Sequence, residues 1–353
     1  HRGQEGCGIV SFDGNHYFSE KRFGLVGDNF NKEKVLKKLQ GNYAIGHNRY
    51  STTGENALRN IQPFFADIYG GGISVAHNGN FTNALKLREK LVREGAIFRT
   101  TSDTETIVQL IAKSKRQKMI DKVIDTLFQV QGGYALVMMS NKKLIGARDP
   151  LGIRPLVLGK IKDSFVLASE TCAFDIIGAK FIREIENGEV VVIEDNSLKS
   201  IKPFTKKKER PCVFEYVYFA RPDSYLKGKC AYEYRKNFGY ELAKESDDVG
   251  DIVVPVPDSG VASALGYAQN KKMNFELENK VALVTGGSKN IGKEIALSLA
   301  SEKVNIAFTY NSSENQAEET LNEIKKFIRR VEKNKNKCLN FLDKAISKIF
   351  WKS

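Results

Sequence analysis

The feature of this sequence that most constrains its fold is a long series of short β-rich runs separated by Gly and Asn turns, which fills residues 1–200. Runs of this length bounded by turn residues are typical of strands. Two amphipathic stretches, near residues 83–94 and 103–114, interrupt the series with the period of a helix. We therefore predict an α+β fold of mostly antiparallel strands in two sheets, with helices outside. The predicted strands are Gly8–Phe12, Tyr43–His47, Gly72–His77, Tyr134–Ser140, Lys143–Arg148, Ser164–Ala168 and Glu189–Ile193.

The composition changes after residue 205. Lys206–Pro211 is a charged break that is typical of a linker. Asp251–Pro257 is a predicted strand that runs into a turn and a helix-like segment, as at the start of an α/β unit. From Lys280 a second strand–turn–helix–strand pattern reaches Phe308, and a basic amphipathic stretch covers residues 321–353. We predict four segments, 1–205, 206–272, 273–320 and 321–353.

The cysteines and the charge argue against several classes of protein. The five cysteines are an odd number and form no Cys-x-x-Cys pair, which argues against a disulfide framework or a self-contained zinc site and favours a reducing cytoplasm. Residues 321–353 hold ten Lys and Arg and three acidic residues, so they supply +7 of the net charge of +13. Because the basic charge is concentrated in a tail, we expect no nucleic-acid partner. A basic amphipathic helix can lie on an anionic membrane, but packing is the more usual role, and we expect no membrane contact.

Four short motifs follow one another early in the chain. They are His1-Arg2-Gly3-Gln4-Glu5, Gly46-His47-Asn48-Arg49-Tyr50-Ser51-Thr52, His77-Asn78-Gly79-Asn80 and Thr101-Ser102-Asp103. In this order they resemble the motif set of class-II glutamine amidotransferases. Later runs resemble one family of that class, the amidophosphoribosyltransferases: Gly24–Gly27, Arg148–Pro155, Ser169–Thr171 and Asn187–Glu189. The resemblance implies a sheet sandwich of the N-terminal-nucleophile-hydrolase type with flanking helices.

The resemblance assigns roles to four residues. In the family a Cys thiolate attacks the side-chain amide of glutamine, and an Asn side chain and the next Gly backbone N–H stabilise the resulting oxyanion. The matching positions are Asn78 and Gly79. Arg49 matches the residue that clamps the substrate α-carboxylate, a task that suits a planar bidentate donor. Asp103 matches the residue that pairs with the substrate α-ammonium group.

Each of these residues also has a purely structural interpretation. Asn78-Gly79 is a strong signal for a hairpin turn. Arg49 suits a surface position at a strand end, and Asp103 lies in a good helix start. For an isolated Asn-Gly or Arg we would favour the structural interpretation, but within the ordered motif set we favour the functional one.

The family's nucleophilic Cys opens the mature chain shortly before the His-Arg-Gly-Gln-Glu run, and this sequence begins at that run, with His1 rather than Met. Cys7 follows the run and, as an internal residue, lacks the free α-amine that serves the family as a base. A buried, inert cysteine is therefore the favoured interpretation of Cys7. We expect the sequence as given to have no glutamine-dependent amidotransferase activity.

Pro211–Ser224 resembles the junction into the phosphoribosyltransferase domain of the same family, and Pro255–Gly260 resembles a loop near its phosphate site. Ser259 matches the position where the family offers a hydroxyl to Mg²⁺, although a Pro-Asp-Ser-Gly turn explains the loop locally just as well. The acidic pair and the Ser/Gly/Thr-rich loop that would hold the diphosphate do not follow in the sequence. We therefore predict an incomplete site for Mg²⁺ and phosphoribosyl diphosphate. Cys212 matches one iron–sulfur ligand of a cluster-bearing branch, but one thiolate of four makes no cluster.

Residues 279–309 resemble the opening of a short-chain dehydrogenase/reductase, most like 3-oxoacyl-carrier-protein reductase. The second strand ends without an Asp or Glu for the ribose, which favours NADP over NAD. The catalytic Tyr-x-x-x-Lys of that family would lie farther downstream, so we expect weak NADP binding and no reductase active site. The candidate cofactor-binding residues lie in and after the Gly-rich turn between strand and helix: Gly286, Ser288, Asn290, Ile291 and Gly292.

The sequence therefore predicts a glutamine amidotransferase domain at 1–205, the start of a phosphoribosyltransferase domain at 206–272, a partial Rossmann-like segment at 273–320 and a basic helical tail at 321–353. The resemblance implies a cytoplasmic enzyme of purine biosynthesis that converts glutamine and phosphoribosyl diphosphate to 5-phosphoribosylamine and forms a homo-oligomer when intact. Two alternatives stay open. One is a catalytically dead module that binds glutamine or serves assembly, and the other is an NADP-binding reductase remnant.

Overall fold

The computed structural model describes residues 1–50, 57–247, 250, 252–256, 258–273, 281–284, 290–301, 304–308 and 314–328. The chain divides into two compact units, His1–Ala231 and Tyr232–Ser353. The first unit carries the motifs of the predicted glutamine site.

Antiparallel strands dominate the first unit. They are β1 (Gly6–Phe12), β2 (Tyr17–Phe23), β3 (Tyr43–Arg49), β4 (Phe64–Ile68), β5 (Gly71–Phe81), β6 (Gly132–Ser140), β7 (Lys143–Arg148), β8 (Val157–Ile161), β9 (Ser164–Ala168), β10 (Lys180–Glu184), β11 (Val190–Glu194), β12 (Ser197–Ile201) and the short pair β13 (Tyr225–Leu226) and β14 (Lys229–Cys230).

Six short helices connect these strands. They are α1 (Val26–Asn29), α2 (Glu33–Leu36), α3 (Ala84–Arg93), α4 (Thr104–Lys113), α5 (Met119–Leu127) and α6 (Cys172–Ile177). A 3₁₀ turn at Leu58–Asn60 and a single π-helical turn at Glu215–Phe219 complete the unit.

The central layer is a six-stranded sheet in the order β12-β11-β7-β6-β5-β4. Because side chains alternate across a strand, its two faces build two different cores. On one face Val75, Leu136 and Met138 are fully buried against residues of α3, α4 and α5 such as Leu91, Ile107 and Leu127. The helices therefore cover one side of the central sheet.

Two three-stranded sheets, β2-β1-β3 and β10-β8-β9, cover the opposite face. Val10 and Ile45 of the first pack against Ala76 and Met139 of the central sheet. Leu158 belongs to the second sheet and packs in a cluster with Ala135 and Val191 of the central sheet. The predicted α+β sandwich is confirmed, but the layer opposite the helices is formed by two separate sheets, so the prediction of two sheets in all is wrong.

All seven predicted strands are present, with ends shifted by a few residues. The largest shift is in β5, which continues to Phe81 and contains Asn78 and Gly79. The interpretation of Asn78-Gly79 as a hairpin turn is therefore wrong, because these residues pair with Ala135 and Tyr134 of β6. Strands β2, β4, β8, β10 and β12 were not predicted. Most positions of β2, β4, β10 and β12 are exposed or half-buried, and such strands carry a weak hydrophobic signal, whereas β8 is buried at Val157, Leu158 and Gly159.

The second unit begins with α7 (Ala231–Glu245) and α8 (Val261–Lys271). These helices approach closely, since a Cβ on Gly266 would lie 1.9 Å from the carbonyl oxygen of Lys236. The predicted strand at Asp251–Pro257 is wrong for the described part of that range, where Ile252 forms a lone bridge and residues 253–256 have no regular structure.

The predicted strand–helix–strand after Lys280 is present in the second unit. Strands β15 (Val281–Val284) and β16 (Asn305–Phe308) pair in parallel, and α9 (Asn290–Ser301) lies between them in sequence. Helix α10 (Glu314–Ile328) follows and contributes Ile324 to a small core with Leu299. The remainder of the predicted tail helix, from residue 329 onward, lies outside the described residues.

Candidate functional site

Three segments of the first unit converge on the predicted glutamine site. They are the end of β3, the second half of β5 and the start of α4. The Nε2 atom of His47 on β3 donates a hydrogen bond to the carbonyl oxygen of His77 on β5, at 3.1 Å. The backbone N–H of Phe81 on β5 donates to a carboxylate oxygen of Asp103, at 3.0 Å. Residues far apart in sequence are thereby held in one place.

Arg49 is buried, with 5% of the residue exposed. Its Nη1 atom donates to the carbonyl oxygen of Asn60, at 3.0 Å. The side chain of Asn60 in turn bonds the backbone N–H of Thr101 at 3.0 Å and its hydroxyl at 2.8 Å. The interpretation of Arg49 as a surface residue is therefore wrong, and Asn60 ties it to the segment that precedes Asp103.

Asp103 occupies the N-cap position of α4, but its side chain makes no capping hydrogen bond to that helix. One carboxylate oxygen accepts from Phe81 of β5, and the other accepts the hydroxyl of Thr104 at 3.4 Å and lies 3.8 Å from Nδ1 of His77. Burial alone would raise the pKa of Asp103, but His77 and the backbone N–H groups of Phe81 and Thr104 outweigh it and hold the pKa below its usual range. Asp103 is thus ionised at neutral pH, as a partner for an ammonium group must be.

The carboxamide of Asn78 has a hydrogen-bond partner for its oxygen but none, among the described residues, for its nitrogen. The Oδ1 atom accepts from Nε and Nη2 of Arg154, at 3.1 and 2.6 Å. The Nδ2 atom is buried and has no hydrogen-bond partner among the residues that the structure describes. Buried N–H groups without a partner are rare in folded proteins, so this donor has the character of a group kept for a ligand.

Gly79 follows Asn78 at φ +142°, in the region that favours glycine. A Cβ on this residue would lie 2.0 Å from the carbonyl oxygen of Gly133 on β6. Glycine is therefore required here by the close approach of the neighbouring strand.

His47 and His77 line the same region. Burial, and next the proximity of His77, lower the pKa of His47 to about 4, so its ring is neutral at pH 7. Because Nε2 donates to a carbonyl oxygen, the neutral ring carries its proton there, and the buried Nδ1 faces no donor among the described residues. His77 is fixed by Gln62, whose Oε1 accepts from the His77 backbone N–H at 2.7 Å.

Cys7 lies in β1 and is 2% exposed. Its thiol donates to the carbonyl oxygen of Gly24, at 3.4 Å, and burial raises its pKa. A thiol of this kind is a poor nucleophile, because the thiolate is the reactive form.

An ion-pair network lies beside Asn78. Arg2 donates to Glu170 at 2.6 Å and, through both terminal nitrogens, to Glu215 at 2.9 Å. His1, Glu170 and Cys172 form the one group of His, Cys, Asp and Glu side chains within the described residues that is close enough to share a metal ion. Because Arg2 already neutralises Glu170, we assign this group to the ion-pair network.

The remaining predicted site residues lie in the second unit. Ser259 is half-buried in the turn before α8, where the backbone N–H of Gly260 donates to the carbonyl oxygen of Val256 at 3.0 Å. Gly286 and Ser288 lie outside the described residues. Asn290, Ile291 and Gly292 form the first turn of α9, and their side chains are not described.

Several residues of the site received no role from the sequence. Arg154, Glu170 and Glu215 lie in motifs that carry the family resemblance, and their place in those motifs is the one sequence feature that points to them. Asn60 and Gln62 stand in none, and only the fold brings them to Arg49 and His77. None of the helices that the structure describes has both the length and the hydropathy to cross a bilayer.

Two stretches of the chain match known protein families. Residues 47–175 match a family model described as a glutamine amidotransferase domain, and residues 280–338 match one described as short chain dehydrogenase. The chain is 53% identical over 281 residues to the amidophosphoribosyltransferase of Rhizobium etli, covering 78% of this chain and 57% of the relative. It is 42% identical to that of Bacillus subtilis over 278 residues, covering 78% and 58%. The chain therefore spans a little over half the length of these curated relatives.

Two solved structures are also similar. The glutamine phosphoribosylpyrophosphate amidotransferase of Bacillus subtilis, complexed with ADP and GMP, superposes with a TM-score of 0.74 at 40% identity, covering 79% of this chain and 61% of that one. A structure described as the allosteric regulatory enzyme of purine biosynthesis superposes with a TM-score of 0.76 at 34% identity, covering 88% and 75%.

Proposed function

We infer the function from the premise that this chain belongs to the amidophosphoribosyltransferase family. We assign residues 1–205 as a glutamine amidotransferase domain and residues 206–272 as the start of a phosphoribosyltransferase domain. The activity we propose is hydrolysis of glutamine to glutamate, with transfer of the released ammonia to phosphoribosyl diphosphate. The products are 5-phosphoribosylamine and diphosphate, a step of purine biosynthesis in the cytoplasm.

The observation that carries this proposal is the buried Nδ2 of Asn78, which has no hydrogen-bond partner among the residues that the structure describes. A glutamine zwitterion presents a carboxylate and an ammonium group at one end and a carboxamide at the other. Arg49 binds the carboxylate and Asp103 the ammonium group, and Asn60 links Arg49 to Thr101, two residues before Asp103. Nucleophilic attack on the carboxamide carbon places negative charge on its oxygen, and the Nδ2 of Asn78 donates to that oxygen.

The nucleophile in the family is an N-terminal Cys whose α-amine acts as the base, and we place it before the His-Arg-Gly-Gln-Glu run. We place Mg²⁺ at the phosphoribosyl diphosphate site, with the hydroxyl of Ser259 as one contact. When bound, the ion would neutralise the diphosphate. We also propose that the protein works as a homo-oligomer.

Titration of glutamine into the 353-residue chain tests the substrate assignment, because neither Arg49 nor Asp103 depends on the nucleophile for its position. We expect saturable binding in the millimolar range by NMR or calorimetry. Each charge-assisted bond contributes about 1.5–3 kcal/mol, so Arg49→Ala weakens binding by about 10- to 100-fold. The control is Arg183→Ala, which removes another partly buried arginine of the same unit. Equal binding in wild type and Arg49→Ala means that the substrate is wrongly placed.

The whole reaction is tested on the protein expressed with whatever segment its gene encodes upstream of His1. Phosphoribosylamine formation that is lost in Asn78→Ala supports the proposed enzyme. Glutamine binding without hydrolysis, in a protein that opens with Cys, supports the binding-module alternative instead.

A further inference from the structure

The motif Arg148–Pro155 joins β7 to β8, and the proposed chemistry leaves it without a role. Its loop is fixed by one buried carboxylate and one buried guanidinium. The carboxylate of Asp149 accepts the backbone N–H groups of Tyr134, Leu151, Ile153 and Arg154, at 2.9 to 3.2 Å. The guanidinium of Arg148 donates to the carbonyl oxygens of Gly152, Arg154 and Ile185. The backbone of Arg154 is therefore held from both its N–H and its carbonyl side.

The fixed loop aims the side chain of Arg154 at Asn78. Both Nε and Nη2 donate to the Oδ1 atom of Asn78, and Nη2 also lies 3.1 Å from a carboxylate oxygen of Glu215. The guanidinium carbon sits 5.3 Å from the ring centre of Phe219. With 14% of its side chain exposed, Arg154 is held by three partners in a nearly closed environment.

The hydrogen-bonding chemistry of the Arg154 guanidinium and the Asn78 carboxamide decides whether the oxygen or the nitrogen of the carboxamide faces the substrate. A guanidinium can donate hydrogen bonds but cannot accept them. The atom of Asn78 that faces Arg154 must therefore be the acceptor, Oδ1, and Nδ2 must turn the other way. That is the atom which is buried and has no partner among the described residues. Without Arg154 the carboxamide is free to rotate and present its oxygen to the oxyanion, where it would repel the charge.

We propose that Arg154, held by Glu215, is a positioning residue that fixes the carboxamide of Asn78 with its N–H₂ group toward the oxyanion. The proposal rests on the glutamine hydrolysis proposed above. Glu215 belongs to the π-helical turn Glu215–Phe219, and Arg2 also binds it through both terminal nitrogens. The donor orientation at residue 78 thus depends on a segment that follows the glutamine domain in sequence.

Steady-state glutamine hydrolysis by the protein that carries its upstream segment measures the effect. Loss of one oxyanion donor costs about 10²–10³ in kcat, and we expect Arg154→Met to lower kcat by about 10²-fold with KM for glutamine within about threefold. Arg154→Lys keeps one donor for Oδ1 and restores part of the rate. Glu215→Gln keeps the size of its side chain but loses the charge that holds Arg154, and lowers kcat by about tenfold.

The double variant Asn78→Ala with Arg154→Met separates positioning from general stability. If Arg154 acts through Asn78, the double variant is no slower than Asn78→Ala alone. The control is Arg183→Met, which breaks a comparable Arg–Glu pair with Glu189 at 2.7 Å in the same unit and leaves kcat unchanged. The proposal would be overturned if the fold-losses in kcat of the two single variants multiply in the double variant. A raised KM with unchanged kcat in Arg154→Met would overturn it as well.

A second measurement does not need the reaction. In ¹⁵N NMR spectra of the 353-residue chain, the side-chain N–H₂ pair of Asn78 is identified by its loss in Asn78→Asp. We expect this pair to shift in Arg154→Met and to stay in place in Arg183→Met. If this shift is present but the protein does not hydrolyse glutamine, the proposed function is refuted and the positioning role of Arg154 stands. An unshifted pair refutes the role of Arg154.

Discussion

Replacing Glu170 by Ala removes the carboxylate that joins three distant parts of the first unit. One oxygen of Glu170 accepts from Arg2 at 2.6 Å and lies 2.8 Å from Nε2 of His1. The other oxygen accepts the backbone N–H of Arg221 at 2.8 Å and the hydroxyl of Ser224 at 2.7 Å. With 2% of its side chain exposed, Glu170 has almost no water to replace these partners in the variant.

The expected cost follows from what the substitution leaves behind. Arg2 keeps Glu215, but it loses one of its two carboxylates, and the N–H of Arg221 loses its acceptor. Removing one partner of a buried ion pair costs about 3–5 kcal/mol. For a unit of this size that lowers the melting temperature by about 10 °C. Glu170→Gln keeps an acceptor for Arg2 but turns an N–H₂ group toward the Arg221 N–H, so its cost is intermediate.

The assay is urea unfolding of the full chain, followed by circular dichroism and by hydrogen exchange of the residues in the first unit. The matched control is Glu194→Ala, which breaks an ion pair of 2.7 Å with Lys143 whose side chains are 46% and 32% exposed. An exposed pair of this kind contributes about 0.2–1 kcal/mol. Equal losses in Glu170→Ala and Glu194→Ala would refute the reasoning, because the larger cost expected for Glu170 rests on its burial and on the buried partners that the substitution leaves behind.

Two further predictions concern the strands of the site. Gly79→Ala destabilises the protein by at least about 2 kcal/mol in urea unfolding, because the new Cβ meets the Gly133 carbonyl at 2.0 Å. Gly14→Ala, which has φ +110° but open space around it, should cost clearly less, and equal costs would contradict the role of the clash. The pKa of His47, about 4, lies below its unfolded value near 6.5, so the stability it contributes is present above pH 6.5 and lost as the pH falls through 4. Between pH 7 and 5 the wild type should lose about 2 kcal/mol more than His47→Gln, and parallel losses in the two proteins would exclude a depressed pKa at His47.

The sequence by itself determined the fold class and singled out the two charged residues that we propose for the glutamine site. A strand such as the one predicted at Tyr134–Ser140 can be recognised from its own residues, because its β-rich composition and the turn residues that bound it lie next to one another in the sequence. Arg49 and Asp103 could be picked out because they stand in short motifs whose order along the chain is specific. The predicted roles of both residues stay predictions until binding is measured.

Only the tertiary structure decided whether a local turn propensity is realised and which distant side chains meet. Asn78-Gly79 has the propensity of a turn, but pairing with β6 forms a continuous strand through both residues. Arg154 reaches Asn78 across 76 positions, and Arg2 reaches Glu215 across 213. Contacts of this kind depend on which sheet faces pack together. A hydrophobic period or a turn propensity describes only neighbours along the chain, so it cannot say which distant side chain fills the space beside a carboxamide.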